Sequence, residues 1–212
     1  MNSKENFRKV QKLFLKNKFH ISPKYMVETT IKILKFHKCK NIFIYHALDY
    51  EYNLLKYSTI LKKKFRVYSP FMQDKSLKVV KSRLPFFKKM YGIYESGNSF
   101  VNVKIDALIV PVIGVDANMR RIGHGKGFYD RFYAGLKNKP LIIFLSLHDA
   151  KTNDVLCDKH DICGHYYINP YKIYSKKDCY DRNCYSVRRT DYRRLGRVFG
   201  GQKNKRGSFS SS

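Results

Sequence analysis

The chain has 212 residues, 43% hydrophobic and 15% aromatic, enough for one globular domain with a real core. Its five scattered cysteines, an odd number, argue against a disulfide framework, no window approaches the roughly 18 apolar residues that span a bilayer, and the opening MNSKENFRKVQKLF lacks the apolar run of a signal peptide, so the cytoplasm is the expected compartment. The net charge of +27, from 43 basic and 16 acidic side chains, favours anionic partners, whether nucleic acid, a membrane surface or small phosphates and carboxylates; a lysine-rich composition without functional meaning accounts for it equally well.

In chain order, Phe7, Val10, Leu13 and Phe14 recur at helical spacing over residues 4–18. A second helix begins within HISPKYMVETTIKILKFHK, with Ser22 as N-cap and Pro23 at the first helical position. NIFIYHA (41–47) reads as a short buried strand. NLLKYSTILKKK (53–64) reads as a helix with Leu54, Leu55, Ile60 and Leu61 on one side, and FRVYSP as a strand ended by its proline. SLKVVKSR (76–83) suits a strand. The unbroken apolar run DALIVPVIGVD (106–116) suits a strand buried on both faces. GFYDRFYAGLKN then predicts a helix closing near Asn138, PLIIFLS (140–146) another buried strand, and HYYIN (165–169) a last one. Helices between apolar strands imply an α/β fold: a single domain of three layers, with a mostly parallel sheet and helices on both faces. The domain is placed at residues 1–175. From 176 to 212 the composition turns to Arg, Gly, Ser and Tyr, with eleven basic and three acidic residues. That tail reads as disordered and solvated, or else as a segment that holds RNA through phosphate contacts and stacking.

RRIGHGKGFYDR (120–131) carries the chemistry. Gly123, Gly125 and Gly127 alternate, Lys126 stands between two of them, and Asp130 follows in the first turn of a helix. Beyond the end of a strand, alternate glycines let backbone N–H groups approach a phosphate, a lysine adds a point charge, and a carboxylate offers magnesium a hard oxygen. The pattern is neither the G-x-x-x-x-G-K-[ST] loop nor G-x-G-x-x-G. Taken alone, it is either a nucleotide cradle or a tight strand-to-helix turn.

The longer string PVIGVDANMRRIGHGKGFYDR resembles the signature of the 5-formyltetrahydrofolate cyclo-ligase (methenyltetrahydrofolate synthetase) family, D-x-x-G-x-R-L-G-x-G-x-G-Y-Y-D-R after an apolar strand. Arg121, Gly123, Gly125, Gly127, Tyr129, Asp130 and Arg131 match; Ile122 replaces Leu, Phe128 replaces the first Tyr, His124 holds a variable position, and Asn118 or Met119 stands where the family often has glycine. Lys4 and Arg8 fit the family's K-x-x-x-R on its first helix, His46 and Glu51 fall where it lines the folate pocket and recognises folate, and His160-Asp161 matches its HD pair. The resemblance covers roughly residues 4–175.

It implies conversion of 5-formyltetrahydrofolate to 5,10-methenyltetrahydrofolate with ATP and magnesium, releasing ADP and phosphate. On that expectation the backbone of Ile122, Gly123, His124, Gly125, Lys126, Gly127 and Phe128 cradles ATP, and Lys4, Arg8, Arg121 and Lys126 neutralise its phosphates, Arg121 and Lys126 acting as catalytic groups. Asp130 and Asp161 hold magnesium, and Tyr129 and Phe128 wall the site. His46, Glu51, His124 and the 125–128 backbone meet the folate, with Glu51 on the pterin. A monomer is expected. Two rivals come from the residues themselves: an RNA-associated α/β binding protein using the basic surface and tail, and a zinc site at Cys157, His160, Cys163 and His165, whose spacing is tighter than common structural zinc sites.

Overall fold

A computed structural model describes residues 3–16, 24–73, 76–88 and 94–176. Two helices open the chain, α1 (Ser3–Lys16) and α2 (Lys24–Phe36). Then come β1 (Asn41–Ile44), a 3-10 turn (Leu54–Tyr57), α3 (Ser58–Lys62), β2 (Arg66–Gln73), β3 (Ser76–Lys81), β4 (Phe86–Lys88) and β5 (Tyr94–Ser96). The second half holds β6 (Ala107–Pro111), β7 (Gly114–Val115), β8 (Arg121–Ile122), α4 (Phe128–Gly135), β9 (Leu141–Leu145), β10 (Tyr166–Ile168) and β11 (Ile173–Ser175).

Seven strands form one sheet in the order β11-β10-β9-β6-β1-β2-β3. The five inner strands run parallel, with Ile42 opposite Ala107 and Ala107 opposite Leu141, while β3 and β11 close the edges antiparallel. Alternation along the strands sorts side chains into two cores. Ile42, Ile44, Ile109 and Ile143 join Met26, Ile33 and Leu34 of α2 and Leu61 of α3 on one face. Phe43, Leu108, Val110 and Phe144 join Phe132 of α4 and Met119 on the other, with the Phe43 and Phe132 rings stacked at 5.0 Å. The α/β fold with helices on both faces is therefore as the sequence implies. Because the chain leaves β1 toward β2 but places β6, β9 and β10 on β1's other side, the topology reverses between β1 and β6. Ligand crevices in open α/β sheets form beyond the carboxyl ends of the strands at that place.

Several local expectations give way. The 53–64 helix is split: the tighter 3-10 turn shifts the phase of the following helix, so Leu54 and Leu61 are buried while Ile60 is 45% exposed. Strand β2 runs three residues past Pro70; its pairing with β1 covers only residues 66–68, so the missing proline N–H removes no bond on that side. The 106–116 run breaks at Pro111, and Gly114–Val115 leaves the sheet to pair with Arg121–Ile122. Helix α4 ends at Gly135 rather than near Asn138, as Leu136 turns extended and packs on the second core. Strand β10 is followed by an edge strand, β11, that the sequence reading lacks. Ser22, Pro23 and the tail from 177 lie outside the described residues.

Candidate active site

Residues 112–127 cross the carboxyl ends of the sheet. Asp116, fully buried, builds the first turn: Oδ1 accepts from the Asn118 and Arg120 amides at 2.9 and 2.8 Å, and Oδ2 from the Cys157 amide at 3.2 Å. This forces Met119 to φ 58, in the left-handed region, at one of the two positions named as glycine in the motif comparison. The chain then runs through β8 into the alternate glycines. Gly125 and Gly127 have φ 99 and 68, and Gly127 is the N-cap of α4. At Gly123 a Cβ would lie 2.5 Å from the Arg121 guanidinium. The glycines thus serve two needs, positive φ at two positions and close approach at a third.

Arg121, 7% exposed, lies under this loop with Nη1 3.1 Å from Asp130 Oδ2, Nε donating to the Pro111 carbonyl, and its guanidinium 5.1 Å from the Tyr129 ring centre. Asp130 Oδ1 also accepts from the Ile162 amide at 3.3 Å. Both carboxylate oxygens of the expected metal ligand are therefore engaged by protein. Burial, then the charges of Glu51 and Glu95, push the Tyr129 phenol well up against the opposing effect of Arg121. Arg131 donates to the Lys126 carbonyl at 2.8 Å and sits 5.4 Å from the Phe128 ring centre.

Three further groups arrive from other elements. From α1, Arg8 Nε donates to the Gly123 carbonyl at 2.8 Å, and Lys4, 7% exposed, meets Asp161 Oδ2 at 2.5 Å. From the loop after β1, Glu51 Oε1 lies 3.3 Å from His124 Nε2 while Oε2 accepts from the Leu48 amide at 3.0 Å, and the Tyr50 ring meets the His124 ring edge-on at 5.5 Å. His46, just past β1, is 8% exposed; its Nε2 is buried without a hydrogen-bond partner among the described residues, and the ring stands edge-on to Phe86 of β4. Burial drives its pKa down to about 4. Burial alone would raise Asp161, but the Lys4 hydrogen bond and the Asp158 amide outweigh it and leave the carboxyl below its ordinary value. Lys126 is exposed at the crest of the loop.

The structure thus gathers Lys4, Arg8, Glu51, Arg121, His124, Tyr129, Asp130 and Asp161 around the glycine loop, from positions up to 157 residues apart. Among the described residues, Asp158, His160 and Asp161 bring potential metal-binding atoms within 4.8 Å of one another. The four-residue zinc grouping is not assembled in that way. Cys157 donates to the Arg120 and Arg121 carbonyls and its thiol is pushed up to about 12, first by burial; Cys163 donates to the Asn118 carbonyl; and His165 Nδ1 accepts from the Ile142 amide. Sequence reasoning also missed Arg120, whose Nη1 holds the Lys159 and Asp161 carbonyls, and Glu95, 2% exposed on β5. Asp116 had a readable signal, an aspartate opening an Asp-Ala-Asn turn.

A model of the 5-formyltetrahydrofolate cyclo-ligase family matches residues 5–163. A 5-formyltetrahydrofolate cyclo-ligase of Mycoplasma pneumoniae is 25% identical over 92 residues, 43% of this chain, and the match spans 56% of that protein's length. The NMR structure of Aquifex aeolicus 5,10-methenyltetrahydrofolate synthetase superimposes with a TM-score of 0.65 at 21% identity, covering 87% of this chain and 96% of its own. The structure of a 5,10-methenyltetrahydrofolate synthetase from Mycoplasma pneumoniae gives 0.61 at 19% identity, covering 79% and 99%. At these identities the two structures establish the fold. Among the described residues no helix is long and apolar enough to cross a membrane.

Proposed function

The chain belongs to the 5-formyltetrahydrofolate cyclo-ligase family, and on that premise we propose that it converts 5-formyltetrahydrofolate to 5,10-methenyltetrahydrofolate, with ATP as co-substrate and magnesium, in the cytoplasm and as a monomer. One observation supports this most. The glycine loop, with Gly125 and Gly127 in left-handed conformation, lies beyond the carboxyl ends of the sheet, where Arg8 of α1 meets Gly123, Arg121 of β8 meets Asp130 and Glu51 meets His124. That arrangement suits two ligands, one polyanionic and one offering N–H donors.

The chemistry asks for this pairing. An N-formyl group is a poor electrophile because amide resonance feeds its carbon. The formyl oxygen attacks the γ-phosphorus of ATP, the bond to the β-γ bridging oxygen breaks, and ADP leaves. N10 then attacks the activated carbon, the carbon–oxygen bond breaks, and inorganic phosphate departs with the new ring closed and the N10 proton lost. The protein positions the reactants and neutralises charge as the phosphoryl group moves. Backbone N–H groups of 122–128 receive the phosphates. Lys4 and Arg8 exchange Asp161 and the Gly123 carbonyl for phosphate oxygens, Arg121 and Lys126 face the charge that develops, and Tyr129 and Phe128 wall the site. Glu51 turns from His124 to the pterin N–H groups, and His46 supplies a buried nitrogen along the folate side.

The donor chemistry fits magnesium in part. Asp161 would hold it with Asp158 close by, since hard carboxylate oxygens suit that ion. Asp130 would join only as Arg121 turns toward phosphate, because Arg121 and the Ile162 amide now occupy its oxygens. The ion would supply charge neutralisation for the phosphates. We place the catalytic unit within residues 1–175 and leave 176–212 outside it. Purified protein mixed with ATP, magnesium and 5-formyltetrahydrofolate should develop the methenyl chromophore; folded protein without turnover would sink the proposal.

A further inference from the structure

Helix α1 meets the rest of the molecule along one seam. Lys4 reaches Asp161, Phe7 lies against Gly114, Arg8 donates to the Gly123 carbonyl, and Gln11 Oε1 accepts from His148 Nε2 at 2.6 Å. Steps of three, one and three residues keep these positions on one helical face. Every partner belongs to the segments beyond the carboxyl ends of β6 and β9. The fit at Gly114 is close, since a Cβ there would lie 2.4 Å from the Ala150 carbonyl oxygen and 2.7 Å from the Phe7 ring. Among the described residues the other side of α1 is uncovered, with Val10 42% and Leu13 64% exposed.

The two charged contacts are made by the cations assigned above to phosphate. When Lys4 and Arg8 turn to a nucleotide, α1 gives up Asp161 and the Gly123 carbonyl and rests on Phe7, the buried Leu15, and Gln11 and Phe14, both of which meet His148. We propose that the Gln11–His148 pair is a positioning clamp for nucleotide binding, holding α1 against the glycine loop while Lys4 and Arg8 change partners. This rests on the cyclo-ligase reading.

His148 is built for a fixed role. It is 7% exposed, and its Nδ1 faces the Ser146 hydroxyl at 3.4 Å. Gln11 Oε1 can only accept, so the ring donates from Nε2 and Nδ1 accepts from Ser146, which selects one neutral tautomer. Burial favours that neutral form, against the nearby charge of Asp149. The backbone beneath is tied down: the Tyr167 hydroxyl donates to the His148 carbonyl at 2.8 Å and accepts from the Ala150 amide at 3.0 Å.

The experiment measures ATP binding by calorimetry, with steady-state kinetics alongside, for the wild type, Gln11→Ala and Gln11→Glu. Losing one such hydrogen bond should weaken ATP roughly three- to tenfold. The KM for 5-formyltetrahydrofolate and kcat at saturating ATP should stay within about twofold, the change expected when an interaction acts on binding and not on the transition state. Gln11→Glu keeps an acceptor for Nε2–H and should restore most of the ATP affinity. Unchanged ATP affinity in Gln11→Ala, equal weakening of both substrates, or a glutamate variant no better than alanine would each overturn the clamp. A wild type that binds ATP but does not turn over removes the reaction while leaving the clamp to the binding data; one that does not bind ATP removes both.

Discussion

At the amino ends of β1, β6 and β9 a cavity of about 490 Å³ opens beside Lys38, Lys104, Asp106, Lys137 and Lys139. At the carboxyl ends, the glycine loop gathers another set of cations and carboxylates. Both ends are basic, yet their polar groups are used differently. At the amino end they complete the backbone's own terminations. Asp106 Oδ2 accepts from the Lys40 and Asn41 amides where β1 starts, and Lys139 Nζ donates to the Tyr133 and Ala134 carbonyls in the last turn of α4. Helices α2 and α4 both end there, and lysines complement the negative ends of their dipoles. At the carboxyl end side chains also hold one another, Lys4 with Asp161, Arg121 with Asp130 and His124 with Glu51, and His46 Nε2 is buried without a hydrogen-bond partner among the described residues. A large basic hollow can therefore be a structural consequence of helix ends, while chemistry gathers where polar groups have partners that a ligand can replace.

The sharpest test of the contrast is Asp130→Asn. It leaves Arg121 buried without its carboxylate and removes an oxygen proposed for magnesium, so kcat should fall at least a hundredfold, the scale of losing one oriented electrostatic group. Stability should fall by about 3 kcal/mol, as for other broken buried pairs. Chemical denaturation and turnover of the same preparation check both.

Next comes His46. Folded, it titrates near 4, whereas an unfolded histidine titrates near 6.5. Between those values the unfolded chain takes up a proton that the folded chain refuses. Stability is therefore full above about pH 6.5 and declines as pH falls toward 4, by up to about 3 kcal/mol. Unfolding free energies from pH 4 to 7 should show that slope in the wild type and a clearly shallower one in His46→Phe, where His148 and Asp161 still contribute. An unchanged slope would say that the ring charges freely in the folded state.

Lys126→Met should lower kcat by ten- to a hundredfold with little change in melting temperature, because this exposed side chain supports no packing. Glu51→Gln should raise the folate KM about tenfold and leave ATP binding as it is, the expected loss for a charge-assisted bond. A fall in ATP affinity instead would move Glu51 to the nucleotide side. The smallest effect belongs to the other end of the sheet: Lys104→Ala should keep kcat and both KM values within about twofold, and a larger loss would break the contrast between the two ends.

How legible all this was depended on which force set each feature. The sheet could be read because strands buried on both faces must be apolar throughout, as in ALIVP and LIIFL. The same signal failed at 112–116, because hydrophobicity reports burial and not direction: Val112 and Ile113 stay buried while the chain leaves the sheet. Strand β11 escaped because IYS is too short and too exposed to carry a pattern. Gly125 and Gly127 were legible because positive φ selects glycine from the local sequence. Met119 is the departure, kept in that conformation by the Asp116 turn and by its own burial at 4% exposure. Gln11, His148, Glu95 and Arg120 left no local trace, since each matters through a contact that only the folded chain creates. The magnesium ligands stand between these cases: the motif named Asp130 and Asp161, while only packing shows that Arg121 and Lys4 already hold them.

The seam of α1 also bears on the order in which the folded chain is assembled. The helix is translated before the sheet, and its charged anchor meets an aspartate 157 residues later. At ribosomal speeds of about 5–20 residues per second, roughly 10–30 s pass before that partner emerges. A 14-residue helix is marginal on its own in water. This one buries only Lys4 and Leu15 among its described side chains even when docked and leaves Val10, Leu13 and Phe14 exposed, so docking changes little of the apolar surface it offers a chaperone or a neighbouring chain. The α1 side of the glycine loop is thus closed only once the later segments are in place, by a helix translated well before them.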